Sequence, residues 1–147
     1  MSNIGIVSIG KGKDTLLEVP KPPIYLTDSA KKHYKFMGNV LAKNERLKET
    51  YLNALEIYAE AMAQFQFALE RMKEKNKKEF GTGYVQTFKT GASNISVELT
   101  LKNNAEDTLL KCFKIFGLDP KSDKDLKNTG DPGQISLFEE LMKAKNG

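Results

Sequence analysis

The sequence contains one cysteine, one histidine and no tryptophan among its 147 residues. A single cysteine, Cys112, excludes an intrachain disulfide and is typical of a reducing compartment. With His33 as the only imidazole, the chain shows no nucleophile–base pair and no cluster with metal-ligand spacing. No stretch approaches the roughly 18 apolar residues of a membrane span. We therefore predict a cytosolic protein that is not an enzyme, with no cofactor, no metal and no membrane partner.

One motif resembles a phosphate-binding loop and then departs from it. The residues from Gly5 to Gly12 begin as G-x-x-x-x-G-K, with Lys11 in the lysine position. Such loops need Ser or Thr after the lysine to hold magnesium, and Gly12 stands there instead. We therefore predict no nucleotide hydrolysis and interpret this segment as part of a basic arm.

Positive charge is concentrated at the front of the chain. The net charge is +4, and residues 1–48 carry nine Lys/Arg against four Asp/Glu, whereas residues 49–72 carry one against four. A basic front favours a nucleic-acid partner, although solvated surface lysines give the same composition. The only arginines are Arg46 and Arg71. Contacts to phosphates are therefore expected to outnumber bidentate contacts to bases.

Hydrophobic spacing predicts a mainly α fold, a helical hairpin or bundle with a long central helix. A first helix is expected over Asp28–Lys43, and the long helix lies within 47–80, where Gly and Pro are absent. Strand formers between glycines predict a loop or short β-hairpin at about 81–94. A third helix is expected over about 96–116.

Capping residues mark the ends of these helices. Thr27 or Asp28 is suited to cap the first amides of the first helix. Gly117 stands where a left-handed residue closes the third helix, and Pro120 forbids its continuation.

The chain divides into four predicted parts. Residues 1–26 are expected to form a flexible basic arm, and residues 27–118 the helical core for DNA binding and oligomerisation. Residues 119–134 have the composition of a linker, and residues 135–147 form a tail with the pattern of a short amphipathic helix. The apolar residues predicted to dock this tail on a partner are Leu137, Phe138 and Leu141.

Several short motifs follow one another in a recognisable order. They are Pro22-Pro23, Leu26-Thr27-Asp28-Ser29-Ala30-Lys31-Lys32, the Leu-x-x-Tyr-x-x-Ala pattern of Leu55, Tyr58 and Ala61, and Phe116-Gly117-Leu118-Asp119-Pro120-Lys121-Ser122. Their order and spacing resemble the P27 family of phage terminase small subunits, over roughly residues 20–126.

The resemblance implies a non-catalytic protein that forms a ring of about eight to ten copies. It implies binding to double-stranded viral DNA, and recruitment and regulation of the large terminase subunit, in the cytoplasm of the infected bacterial host. The candidate DNA contacts are Lys11, Lys13, Lys21, Lys31, Lys32, Lys35, Lys43, Arg46 and Lys48. The candidate subunit contacts are Leu55, Tyr58, Met62, Phe65, Leu69, Leu101, Leu109 and Phe113.

Two other functions fit some of these features. A dimeric helix-turn-helix regulator would use the first helix, the turn at Asn44 and the second helix. The length of the second helix and its acidic middle count against it. A non-catalytic structural or adaptor protein needs only the apolar stripes, and it leaves the basic front unexplained. Each apolar side chain named as a subunit contact also fits a core within one chain.

Overall fold

The computed structural model describes residues 15–118, and this part of the chain is mainly helical. Helix α1 spans Asp28–Lys43, a single 3-10 turn spans Glu49–Tyr51, helix α2 spans Leu52–Lys78 and helix α3 spans Val97–Ile115. The predicted helical fold with a long central helix is confirmed. No helix among these residues combines the length and apolar character needed to cross a membrane.

A two-stranded antiparallel hairpin connects α2 to α3. Its strands are β1 (Val85–Thr87) and β2 (Ser93–Ile95). The register sets Val85 opposite Ile95 and Thr87 opposite Ser93. Of the two alternatives left open for this region, a loop or a short hairpin, the structure shows the hairpin.

Helix α1 begins where its capping residue predicts. The Thr27 side chain accepts a hydrogen bond from the backbone N–H of Ala30 at 3.2 Å, which satisfies one of the open amides of the first turn. The predicted apolar face is buried, and the predicted span is confirmed. The buried residues of this face are Ala30, Tyr34, Met37 and Leu41.

Helix α2 begins at Leu52, within the predicted range 47–80, and the residues just before it are not α-helical. The backbone N–H of Leu16 donates to the carbonyl of Leu47 at 2.7 Å, and Thr15 forms an antiparallel bridge with Lys48. Leu47 is also fully buried. These contacts with a distant part of the chain hold Leu47 and Lys48 extended and override their local helical preference.

Residues 15–26 pack against the helices, which corrects the prediction of a flexible arm for this half of it. Leu16 is 1% exposed and Leu26 is 5% exposed. Burial of these two leucine side chains stabilises the segment by roughly 1.5–3 kcal/mol each. Residues 15–26 therefore belong to the folded part of the chain.

Three predicted features lie outside the described residues. They are the first half of the arm with Lys11 and Lys13, the linker over 119–134, and the tail over 135–147 with Leu137, Phe138 and Leu141.

Helix α3 is closed at both ends by hydrogen bonds to open backbone groups. The Ser96 side chain accepts from the backbone N–H of Leu99 at 3.0 Å in the first turn. At the far end Gly117 has φ 72°, and the N–H of Leu118 donates to the carbonyl of Phe113 at 2.7 Å. This closing arrangement requires a left-handed residue, which Gly adopts without strain. The predicted end at Gly117 is confirmed.

The hydrophobic core lies where α2 packs between α1 and α3. The Tyr58 ring lies 6.2 Å from the rings of both Phe113 and Phe116. Leu55, Tyr58 and Leu109 are 0%, 3% and 5% exposed, so they belong to the core of one chain. This corrects their assignment as subunit contacts, because they have almost no surface to offer a second copy.

The other candidate subunit contacts keep some surface. Met62, Phe65 and Phe113 are partly buried against the core. Leu101 is half-buried and Leu69 is 39% exposed. Their role between copies stays a prediction.

Beyond the core, α2 and α3 continue side by side as a two-helix projection that carries the hairpin. Helix α2 has 27 residues, which corresponds to about 40 Å. Small and flexible side chains fill the contact between the two helices, and Lys75 Nζ lies 2.9 Å from Glu98 Oε1 across it. The buried residues of this part are Ala68, Met72 and Ala105. We call residues 67–105 the distal projection.

Candidate nucleic-acid interface

Three lysines of α1 lie on the helix surface that does not enter the core. Lys32 and Lys35 are exposed, and Lys31 is half-buried. Lys31 and Lys35 are four residues apart, so their Cβ atoms are neighbours at about 5–6 Å, and Lys32 lies beside them. The buried apolar face of α1 fixes this orientation. Three predicted DNA contacts are thereby brought together on one face.

The segment before α1 lies along the same helix and adds a fourth lysine. A Cβ atom on Gly38 would lie 2.3 Å from Val19 Cγ2, so only glycine allows the segment to come this close. The contact holds Lys21 across a groove of about 420 Å³ from Lys31 and Lys35. We call this depression the lysine groove. Its apolar walls are formed by Val19, Pro20, Pro22 and Ile24.

The lysines of this surface are not neutralised by acidic neighbours. Within residues 15–118, none of Lys21, Lys31, Lys32 and Lys35 forms an ion pair with a carboxylate. Their positive charges therefore add to one another and remain available to an anionic partner.

Negative charge lies in a second depression beside α2. Glu56 accepts a hydrogen bond from the Tyr25 hydroxyl, and this bond raises the pKa of Tyr25. Glu60 accepts from the backbone N–H of Thr27 at 3.3 Å. Both carboxylates line this second depression and not the lysine groove.

The remaining predicted DNA contacts within residues 15–118 do not line the groove. Lys43, in the last turn of α1, and Lys48, before the 3-10 turn, are exposed. Arg46 is only 5% exposed, which corrects its assignment as a DNA contact, because it has almost no surface to offer a duplex.

The turn after α1 explains the burial of Arg46. Glu45 has φ 56°, and the backbone N–H of Arg46 donates to the carbonyl of Leu41 at 2.8 Å. The chain therefore reverses at Glu45 and brings Arg46 and Leu47 into the interior together. A count of charges along the sequence does not register this reversal.

The apolar walls of the lysine groove were missed at the sequence level. Ile24 is 89% exposed and stands at the rim with Pro22. One signal was available, namely Gly38 in the middle of an amphipathic helix. Gly costs about 1 kcal/mol relative to Ala in a helix interior, so its presence points to a close neighbour.

Cys112 and His33 have structural surroundings. Cys112 Sγ lies 3.8 Å from the carbonyl of Ala54, and burial raises the pKa of its thiol, which therefore stays protonated. His33 Nε2 lies 3.0 Å from Gln66 Oε1 and links α1 to α2.

A family model described as "Phage terminase, small subunit" matches residues 30–132, which is more than half of the chain. The matched range includes Lys31, Lys32 and Lys35 of α1, all of α2 and α3, and the hairpin. No curated protein and no solved structure matches the chain.

Proposed function

The chain belongs to the family of phage terminase small subunits, which gives it a role in phage DNA packaging, and we propose the details of that role here. It is a non-catalytic protein that binds double-stranded viral DNA, assembles into a homo-oligomeric ring, and recruits and regulates the large terminase subunit. It acts in the cytoplasm of the infected bacterial host. The order of motifs from Pro22 to Ser122 supports the P27 branch of the family.

DNA binding is carried by one observation, the convergence of Lys21, Lys31 and Lys35 on the lysine groove with Lys32 beside it. Four neighbouring positive charges attract the phosphate backbone and release its counterions, so the affinity falls as salt rises. Lysine contacts a phosphate as a point charge, and such contacts position a duplex without reading its bases. This surface supplies affinity, and specificity either comes from DNA shape or is weak.

Assembly is supported by apolar surface on the described part of the chain. Phe67 and Leu69 of the distal projection are 52% and 39% exposed. Large apolar surfaces on a soluble protein mark interaction sites. A closed ring of about eight to ten copies buries such surfaces with the same contact repeated between neighbours.

Recruitment of the large subunit is assigned to the C-terminal tail. The pattern of Leu137, Phe138 and Leu141 places apolar side chains on one face of a short helix. An amphipathic segment of this kind binds a partner by inserting its apolar face into a groove.

The test of DNA binding is the triple variant Lys31→Glu, Lys32→Glu and Lys35→Glu in the full-length protein. Binding to a duplex is followed by gel shift and by titration at several salt concentrations. We expect loss of retention at moderate salt. Because each lysine contacts about one phosphate, the slope of log affinity against log salt should fall by about three.

The matched control replaces three exposed lysines elsewhere with Glu, namely Lys73, Lys111 and Lys114. It removes the same charge and is expected to retain DNA binding at least ten times better than the α1 variant. Light scattering shows whether both variants keep the wild-type mass. Unchanged affinity in the α1 variant, or equal loss in both variants, contradicts the assignment of DNA binding to this helix.

A further inference from the structure

The β-hairpin has no covered face among the described residues. In β1 and β2 every residue except Gln86 is exposed. Side chains alternate across a strand, so Val85 and Ile95 lie on one face while Tyr84 and Phe88 lie on the other. All four are 43–51% exposed. A two-stranded sheet needs a packed face to be stable in water, and this one does not find it within residues 15–118.

The hairpin is nevertheless held firmly at its base. Asn76 Oδ1 accepts hydrogen bonds from the backbone N–H groups of Gly81 and Gly83 at 3.0 and 2.9 Å. The buried Ser96 hydroxyl donates to the carbonyl of Gly83 at 2.7 Å. A Cβ atom on Gly83 would lie 2.6 Å from the carbonyl oxygen of Met72, so the turn is seated directly on α2. The exposed sheet is therefore presented in a fixed orientation.

The apolar surface at this end of the molecule is large. Phe80 is 82% exposed and packs edge to face on Tyr84 at 6.0 Å, and Val97 is 66% exposed. These residues surround the hairpin on both sides of the sheet, and we call the whole apolar surface the hairpin face; its residues are Phe80, Tyr84, Val85, Phe88, Ile95 and Val97. With 150–250 Å² for a whole aromatic side chain, its exposed area is roughly 600 Å². A stable interface buries about 800 Å² per partner, so this area, divided between the two sides of the sheet, supplies a part of such an interface.

The strand edges are also open. Phe88 N–H donates to the Ala92 carbonyl at 2.9 Å, and Ser96 N–H donates to the Tyr84 carbonyl at 2.8 Å. In an antiparallel pair, hydrogen-bonded and non-hydrogen-bonded positions alternate, so the backbone of Thr87 on β1 points outward. The same alternation directs the backbone of Ser93 outward on β2. Such edges pair readily with a strand from another chain.

The charge pattern separates the hairpin face from a DNA-binding surface. Between Tyr84 and Val97 the only charged residue is Lys89. Interfaces between permanently associated copies are apolar and depleted in charge, whereas DNA-binding surfaces are rich in Lys and Arg. The hairpin face is apolar like an interface between copies, and the lysine groove is rich in lysine like a DNA-binding surface.

We propose that the hairpin face is the contact between neighbouring copies of this chain, with a strand edge of one copy against that of the next. This inference rests on the proposed assembly and names the surface that carries it. Two different edges on each copy suit a head-to-tail contact that repeats around a closed ring.

The test is the double variant Val85→Glu and Val97→Glu in the full-length chain, measured by light scattering after size exclusion. Both side chains are exposed, and Val97 opens the first turn of α3, where Glu is favourable. We therefore expect wild-type helical circular dichroism with a fall in mass toward the 16.5 kDa monomer. The matched control is Ile57→Glu with Leu110→Glu, at 54% and 53% exposure outside the hairpin face, and should keep the wild-type mass.

A second measurement keeps the inference testable if the double variant loses its fold. In a Thr87→Cys variant the native Cys112 is buried, so a short bismaleimide crosslinker reacts at position 87. Crosslinked dimers on a denaturing gel are expected, and few are expected from an Ile24→Cys control.

A wild-type mass for the folded double variant, or no crosslinking at position 87 in an oligomer, overturns the hairpin contact and leaves assembly standing. A monomeric wild type overturns both, while DNA binding by the lysines keeps its own test.

Discussion

Replacing Gly38 with Ala is expected to have two effects, a lower stability of the fold and weaker DNA binding. The added Cβ would lie 2.3 Å from Val19 Cγ2, 2.8 Å from Val19 Cβ and 3.2 Å from Leu55 Cδ2. The neighbours of the added Cβ atom must move to make room for it. Leu55 is fully buried, so we expect Val19 to move outward, together with the segment that carries Lys21. The change reaches the lysine groove although Gly38 bears no charge.

Two opposing contributions set the change in the free energy of unfolding of Gly38→Ala. Ala in a helix interior is favoured over Gly by about 1 kcal/mol. A methyl group forced into occupied space costs about 1–3 kcal/mol. We therefore expect a net loss of about 1 kcal/mol in the free energy of unfolding. Displacement of Lys21 removes about one phosphate contact, so the salt slope of DNA binding should fall by about one.

The assay is urea unfolding at a fixed protein concentration, combined with DNA titration, on four proteins. These are the wild type, Gly38→Ala, Val19→Gly and the double variant. With Val19 removed, Gly38→Ala should stabilise by about 1 kcal/mol, as in an unobstructed helix. The reasoning is refuted if Gly38→Ala stabilises equally in both backgrounds and leaves the salt slope unchanged.

Two further predictions concern single side chains. Ser96→Ala removes the cap of α3 and the hydrogen bond to Gly83, so thermal unfolding should show a loss of about 1–3 kcal/mol in the free energy of unfolding. The control Thr100→Ala, at an exposed position in the same turn, should cost under about 0.5 kcal/mol. Burial raises the pKa of Tyr34 from 10.0 to about 12, so stability from its neutral form is complete below pH 10 and is lost as pH rises to 12. Urea unfolding of wild type and Tyr34→Phe across this range should show a shallower decline in the variant, and parallel declines would contradict the assignment.

Features set by local chemistry were predictable from the sequence. Thr27 caps α1 and Gly117 closes α3, because each satisfies backbone groups within a few residues of itself. The lysines of α1 were also placed correctly on the surface, since helical spacing separates them from the apolar stripe.

Features set by distant contacts were not predictable. The start of α2 depends on the pairing of Leu16 with Leu47, and the burial of Arg46 depends on the reversal at Glu45. A local sequence window contains neither. The stripe that includes Leu55 and Tyr58 was read correctly as apolar, but spacing cannot distinguish a core within one chain from an interface between chains.

The solution mass of the full-length wild-type protein, measured by light scattering, tests the proposed packaging role most directly. A ring of about eight to ten copies of the 16.5 kDa chain predicts roughly 130–165 kDa. A mass of one or two chains at micromolar concentration would contradict the ring and favour a dimeric helix-turn-helix regulator.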